Sequence, residues 1–190
     1  MRVIAGTAKG VRLSAPRQGT RPTTDRVREA VFSLLADWAG TGGGGAADQL
    51  AGLGVLDLFA GSGAVAVEAA SRGATPVVAV DSDAVAARLI QANATAAGVS
   101  VKAVRATVDG YLRGTPVPFD VIWLDPPYDL PEAALAGVLN RVAAWLAADG
   151  LVAVERSRRT PAPGWPPGLA QRWDKRYGET VVYFATEGLK

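Results

Sequence analysis

Apolar residues fall into distinct rhythms along the chain. Val3, Ile4 and Ala5, then Val11 and Leu13, flank Gly6 and Gly10; this is the pattern of two short strands across a turn. From Val27 the apolar positions Ala30, Val31, Leu34, Leu35 and Trp38 form a helical stripe, which Thr23 or Thr24 can cap. The glycine-rich stretch 40–47 then reads as a flexible connector. Beyond it the chain alternates. Strands are expected at 55–59, 76–80, 101–105, 119–124 and 151–155, and helices at 64–72, 83–97, up to 112, and 131–146. That alternation predicts a parallel sheet with helices on both faces. Unbroken apolar runs at 55–59 and 121–124 fit strands buried on both sides. The ending breaks the rhythm: 171–177 and 180–185 flank Gly178-Glu179, a hairpin expected to add an antiparallel strand at the sheet's edge.

Composition mainly excludes. With 190 residues, 49% of them hydrophobic and 20% charged, the chain is sized for one globular domain. It has no Cys and no His. Disulfides, cysteine nucleophiles, Ser-His-Asp triads and thiolate or imidazole metal sites are therefore ruled out, and no metal is expected. No apolar run reaches membrane-spanning length and the amino terminus lacks a signal-like block, so no membrane contact and a cytoplasmic location are expected.

Charge is unevenly placed. Residues 1–28 carry seven basic groups (Arg2, Lys9, Arg12, Arg17, Arg21, Arg26 and Arg28) against one acid, Asp25, while the rest of the chain holds 13 basic and 17 acidic residues. A basic front on a slightly acidic body predicts a polyanion-gripping hairpin arm over 1–20, ahead of a larger domain over 21–190.

Two turns carry candidate chemistry. The first is Val55-Leu56-Asp57-Leu58-Phe59-Ala60-Gly61-Ser62-Gly63. Gly61 and Gly63 let backbone approach a ligand at the start of a helix, where free amides and the helix dipole point outward. Asp81, with Ser82 after it, ends the next predicted strand and can accept both hydroxyls of a ribose. Glycine spacing alone does not distinguish a nicotinamide site. Asp57 does: a carboxylate there would repel a pyrophosphate but suits a ligand bearing ammonium and sulfonium charges.

The second turn is Asp125-Pro126-Pro127-Tyr128, directly after the apolar run Val121-Ile122-Trp123-Leu124. The prolines fix the chain and remove two amide donors. The Asp125 carboxylate and the Pro126 carbonyl are left as acceptors. An exocyclic base amine is a poor nucleophile because its lone pair is delocalised into the ring. Two acceptors, each holding one N–H, favour a pyramidal nitrogen whose lone pair can face a sulfonium methyl. Tyr128 can stack on the base. The residues alone leave several readings open: an S-adenosylmethionine-dependent methyltransferase acting on RNA, a DNA adenine-N6 methyltransferase, a nicotinamide oxidoreductase, or a non-enzymatic RNA-binding module.

DLFAGSG paired with DPPY resembles the class I methyltransferases that act on base amino groups. MRVIAGTAKGVRLSAP, RPTTDRVREAVFSLL and KRYGETVVYF extend the resemblance, over nearly the whole chain, to the RsmD family of bacterial 16S rRNA (guanine-N2)-methyltransferases. The resemblance implies a Rossmann-like, seven-stranded, mostly parallel sheet whose last strand is antiparallel. It implies S-adenosyl-L-methionine as cofactor, with S-adenosyl-L-homocysteine as product. Asp57, Phe59, Ala60, Gly61, Ser62 and Gly63 would hold the methionine end, Asp81 and Ser82 the ribose, and Asp125, Pro126, Pro127 and Tyr128 the guanine. Ala106-Thr107 stand where relatives carry Asp or Asn toward the adenine, with Asp109 as a fallback. The implied target is guanine 966 of 16S rRNA in a partly assembled small subunit, methylated by a monomer. Candidate RNA contacts are Lys9, Arg12, Arg17, Arg21, Arg26 and Arg28 in front and Arg156, Arg158 and Arg159 behind the fifth strand of the alternation. Arg21 can alternatively support the cofactor site.

Overall fold

The computed structural model describes residues 1–15 and 24–187. Arg17 and Arg21 lie outside the described residues, as does the expected boundary between residues 20 and 21. Helix α1 (Asp25–Trp38) begins where Thr24 Oγ1 accepts the Val27 N–H, with Asp25 in the first turn on the favourable side of the helix dipole. The alternating part follows as β1 (Val55–Leu58), α2 (Ala64–Ser71), β2 (Val77–Asp81), α3 (Ala84–Ala97), β3 (Lys102–Arg105), α4 (Val108–Leu112), β4 (Phe119–Leu124), α5 (Glu132–Val142) and β5 (Leu146–Ser157). The hairpin strands β6 (Leu169–Tyr177) and β7 (Thr180–Glu187) complete it. Asp83 caps α3, and Gly98, left-handed at φ 64°, closes it.

The seven strands lie in the order β3-β2-β1-β4-β5-β7-β6. β7 is antiparallel to both β5 and β6, while the β1–β5 pairings are parallel. The last strand is antiparallel, as expected. It is not at the edge, however: it inserts beside β5 and carries β6 outside it. One core face joins α1, α2 and α3 to the sheet through residues such as Phe32, Leu35, Ile90, Trp123 and Phe184. The other joins α4 and α5 through Leu56, Ile122, Leu139 and Trp145. Among the described residues no helix is long and apolar enough to cross a membrane.

Three local expectations change. The helix foreseen over 131–146 stops at Val142, a 3-10 turn covers Ala143–Trp145, and β5 starts at once. The stretch 40–47 is a run of hydrogen-bonded turns: Thr41 Oγ1 donates to the carbonyls of Ala36 and Gln49, and the buried Leu50 donates its N–H to Arg72 O. The amino-terminal hairpin forms, with Arg2 bridging Arg12 and Val3 N–H donating to Val11 O, but it is docked instead of projecting as an arm. Val3, Ala8 and Leu13 belong to the first core face.

A buried carboxylate does the docking. Glu68 on α2 is fully buried and accepts the N–H groups of Ile4 at 2.8 Å and Ala5 at 3.0 Å. It also pairs with Arg72 at 2.9 Å and lies 3.8 Å from Arg28. Ser71 adds two bonds, accepting from Ala8 N–H and donating to Ala5 O.

Candidate active site

The strand order reverses between β1 and β4, where open parallel sheets bind ligands at their carboxyl ends. Leu58 and Leu124 are direct partners, so the two candidate turns leave the sheet side by side. The Asp125 N–H donates to Leu58 O at 3.4 Å. The DPPY turn is thereby tied to the strand that launches the glycine turn.

The glycine turn is wired to its neighbours. Phe59 adopts φ 60°, and Gly61 and Gly63 adopt φ 54° and 73°, a left-handed region costly for a bulky side chain such as Phe59. The two glycines serve different ends. A Cβ on Gly61 would meet nothing within 4 Å, so the bare backbone faces open space; one on Gly63 would come within 2.9 Å of Ile90, so that glycine permits close packing on α3. Asp81 accepts the Gly61 N–H at 2.8 Å through Oδ2 and the Asp83 N–H at 2.9 Å through Oδ1. Each oxygen keeps a further lone pair for a hydroxyl. Ser82 is exposed beside it, whereas Ser62 is buried, with its carbonyl accepting from Asn93 Nδ2. The same Asn93 amide exchanges hydrogen bonds with the Ser14 backbone, so one side chain joins the hairpin's end to the glycine turn.

Asp57 behaves differently from its sequence reading. It is 1% exposed and accepts the Ala66 N–H in the first turn of α2. Burial pushes its carboxyl up to about 8, against the lowering effect of that hydrogen bond and with a smaller contribution from Asp81. Burial thus favours the neutral form of this carboxyl. Through that hydrogen bond it holds the start of α2 beneath the glycine turn.

At the DPPY turn Asp125 is half-buried, Pro126 buried and Pro127 exposed, while Tyr128 is 66% exposed. A large aromatic left that open beside a candidate ligand site is placed to stack on a flat partner. On the far side of Asp81, the Ala106 N–H donates to Asp81 O. Thr107 caps α4 by accepting the Gly110 N–H. Asp109 is held by Arg141 and Arg113, which lower its carboxyl, so the fallback adenine contact is already engaged.

The proposed RNA contacts separate sharply. Lys9, Arg12, Arg26, Arg158 and Arg159 are exposed. Arg28 is 1% exposed and donates to Asp25 and to the Arg2 carbonyl, so it is an internal strut and cannot reach a nucleic acid. Arg156 is likewise buried, bonded to Glu132 and Thr160. Lys9 caps the hairpin tip, whose Thr7 N–H donates to Ser71 O at the end of α2. Since α2 runs from the carboxyl to the amino end of the sheet, Lys9 sits at the end opposite the two turns. Arg26 is in the first turn of α1, at the same end as the turns. Sequence reading missed Glu68, Ser71 and Asn93; the visible signal was a lone acid in an apolar helix, four residues before Arg72.

Comparison with known proteins agrees with this geometry. The family model described as conserved hypothetical protein 95 matches residues 1–186. Ribosomal RNA small subunit methyltransferase D of Escherichia coli K12 is 31% identical over 185 residues, covering 95% of this chain and 87% of that protein. A solved structure of the putative methyltransferase yhhF from Escherichia coli superposes with TM-score 0.84 at 25% identity, covering 99% and 98% of the two chains. The Thermus thermophilus 16S rRNA N2 G1207 methyltransferase RsmC, solved with AdoMet and guanosine, shares the fold at TM-score 0.63 and 23% identity, covering 91% of this chain and 44% of that one. The sheet is that of the class I methyltransferases, and the chain belongs to the RsmD family, the conserved hypothetical protein 95 family.

Proposed function

We propose that this protein methylates the exocyclic N2 of a guanine in 16S rRNA, position 966 in the family's numbering of its target, while the small subunit is being assembled. The observation that carries the reading is the register of β1 against β4, which sets the acceptor-rich DPPY turn beside the open backbone at Gly61. The names of the relatives and the AdoMet and guanosine bound to the RsmC neighbour support it. The residues fit S-adenosylmethionine: the bare backbone at Gly61 faces open space where its methionine end can lie, and Asp81 and Ser82 offer acceptors to its ribose.

When bound, S-adenosylmethionine supplies an electrophilic methyl group and leaves as S-adenosylhomocysteine. The protein's part is positioning and electrostatics. Asp125 and the Pro126 carbonyl each hold one N–H of the guanine amine and turn its lone pair outward, and Tyr128 stacks on the ring. As the nitrogen gains its methyl, one N–H proton is lost, and the Asp125 carboxylate, the more basic of the two acceptors, takes it.

The test is transfer of labelled methyl to undermethylated small-subunit particles, with nucleoside mass spectrometry of the product. Asp125→Ala is expected to abolish transfer while S-adenosylmethionine affinity, measured by calorimetry, stays within about twofold, because a missing acceptor acts on the reacting amine alone. Retained turnover in that variant, or methyl on any atom but guanine N2, overturns the assignment.

A further inference from the structure

The hairpin at the carboxyl terminus returns to the reactive end of the sheet carrying basic residues. Its level is fixed by register. Leu124 pairs with Val154, Val154 with Tyr183, and Tyr183 with Asp174. The next row outward holds Asp125, then Glu155, Val182 and Lys175; the row after that holds Arg156, Val181 and Arg176. Lys175 therefore stands level with the catalytic turn, three strand spacings away, or about 14 Å. Beyond these rows, Arg158 and Arg159 follow β5, and the loop is fastened to the hairpin turn by the Arg158 N–H donating to Glu179 O at 2.8 Å.

These four cations are exposed, and the ion pairs that two of them make are weak. Arg159 meets Glu179 at 3.2 Å with side chains 84% and 50% exposed, and Arg176 meets Asp174 at 3.5 Å with 75% and 33%. Surface pairs of this kind are worth about 0–1 kcal/mol, so phosphates can replace them. Arg156, locked by Glu132 on the α5 side, cannot take part. Lys175 and Arg176 ride on the hydrogen-bonded edge strand β6 and project to its opposite faces, Lys175 on the side of Trp173 and Tyr177 and Arg176 on the side of Asp174. The surface therefore straddles the edge of the sheet, and the ordered strand lowers the entropy lost on binding.

We propose that Lys175, Arg176, Arg158 and Arg159 form a docking surface for the RNA backbone that flanks the target nucleotide. The inference rests on the reading of the chain as an RNA methyltransferase and extends it by naming a second contact region, from the opposite end of the chain to the basic amino terminus. The surface binds by charge, so it sets affinity and register on the RNA while the DPPY turn selects the base.

The experiment compares the full-length protein with Lys175→Glu/Arg176→Glu and with Lys175→Arg/Arg176→Lys. The probe is undermethylated small-subunit particles, and the readouts are KM and kcat for methyl transfer, S-adenosylmethionine affinity, and particle binding across a salt series. The charge reversal is expected to raise KM on the order of tenfold and to lower the slope of log affinity against log salt by ~0.7 for each phosphate no longer neutralised. Cofactor affinity and kcat should stay unchanged, and the conservative pair should behave as wild type. Unchanged KM and salt slope in the reversed variant, with an active wild type, overturn the docking surface and leave the reading of function standing. A wild type that binds S-adenosylmethionine but neither binds nor methylates the particles overturns both.

Discussion

The chain ends in a hairpin at each terminus, and the two are built on opposite principles. The front hairpin has a short ladder of its own, the Arg2–Arg12 bridge with the Val3 N–H donating to Val11 O, Gly10 N–H to Val3 O and Leu13 N–H to Met1 O. It is held from outside, by Glu68, Ser71 and Asn93, and it gives its apolar residues to the core. The rear hairpin is held by its own backbone, with β7 paired on both sides, and it turns charged side chains outward. Charge density in the sequence points to the front, yet the buried Arg28 is spent on structure and Lys9 lies at the far end of the sheet. A cation's position in the sequence says little about function until its partners are known.

The sharpest way to break this contrast is Glu68→Gln. Removing the carboxylate shared by Arg28 and Arg72 leaves the buried Arg72 without its ion pair and Arg28 with the half-exposed Asp25 alone, an effect of about 3–5 kcal/mol. Urea denaturation should show that loss, and hydrogen exchange should show early exposure of the Ile4 and Ala5 amides. A loss below about 1 kcal/mol, in the range of an exposed pair, would mean that the front hairpin holds itself. The two turn glycines sharpen the comparison further. Gly6 sits at φ 84° with its missing Cβ 1.8 Å from the Ser71 carbonyl oxygen, whereas Gly178 sits at φ 61° with nothing within 4 Å. Alanine at Gly178 meets only the left-handed backbone cost, about 1–2 kcal/mol. Alanine at Gly6 adds a collision with a helix end and should cost about 3 kcal/mol. Equal melting shifts for the two variants would show that the close seating at Ser71 is unimportant.

What the sequence disclosed follows from the range of the forces involved. The alternation of β1 to β5 with α1 to α5 was legible because periodicity is local, and the two turns were legible because Gly61, Gly63 and the paired prolines constrain backbone within a few residues. Their adjacency follows from strand order, which the glycine turn, Asp81 and DPPY imply together. The insertion of β7 beside β5 was not legible, because a hairpin pattern looks the same whichever of its strands lies inward. Nor was the environment of Asp57: its burial is set by α2 and the strands around it, and that burial raises its carboxyl. Arg28 and Arg156 read as surface cations because their partners, Glu68 and Glu132, lie 40 and 24 residues away.

Lys9→Glu offers the smallest expected effect and isolates the front hairpin's tip. The side chain is exposed, and its neighbours are the turn residues that dock on the end of α2. The eight residues of α2 span ~12 Å of helix between that end and the glycine turn. That separation exceeds the Debye length of about 8–10 Å in ordinary buffers, so a reversed charge at the tip is screened from phosphates held at the reactive end. Stability should move by less than ~0.5 kcal/mol, the usual range for a surface substitution. The salt slope of particle binding should match the wild type, while the rear-hairpin reversal lowers it. A drop of ~0.7 in that slope for Lys9→Glu would place a phosphate at the amino end of the sheet. The RNA would then wrap past α2, and the division of labour between the two hairpins would fall.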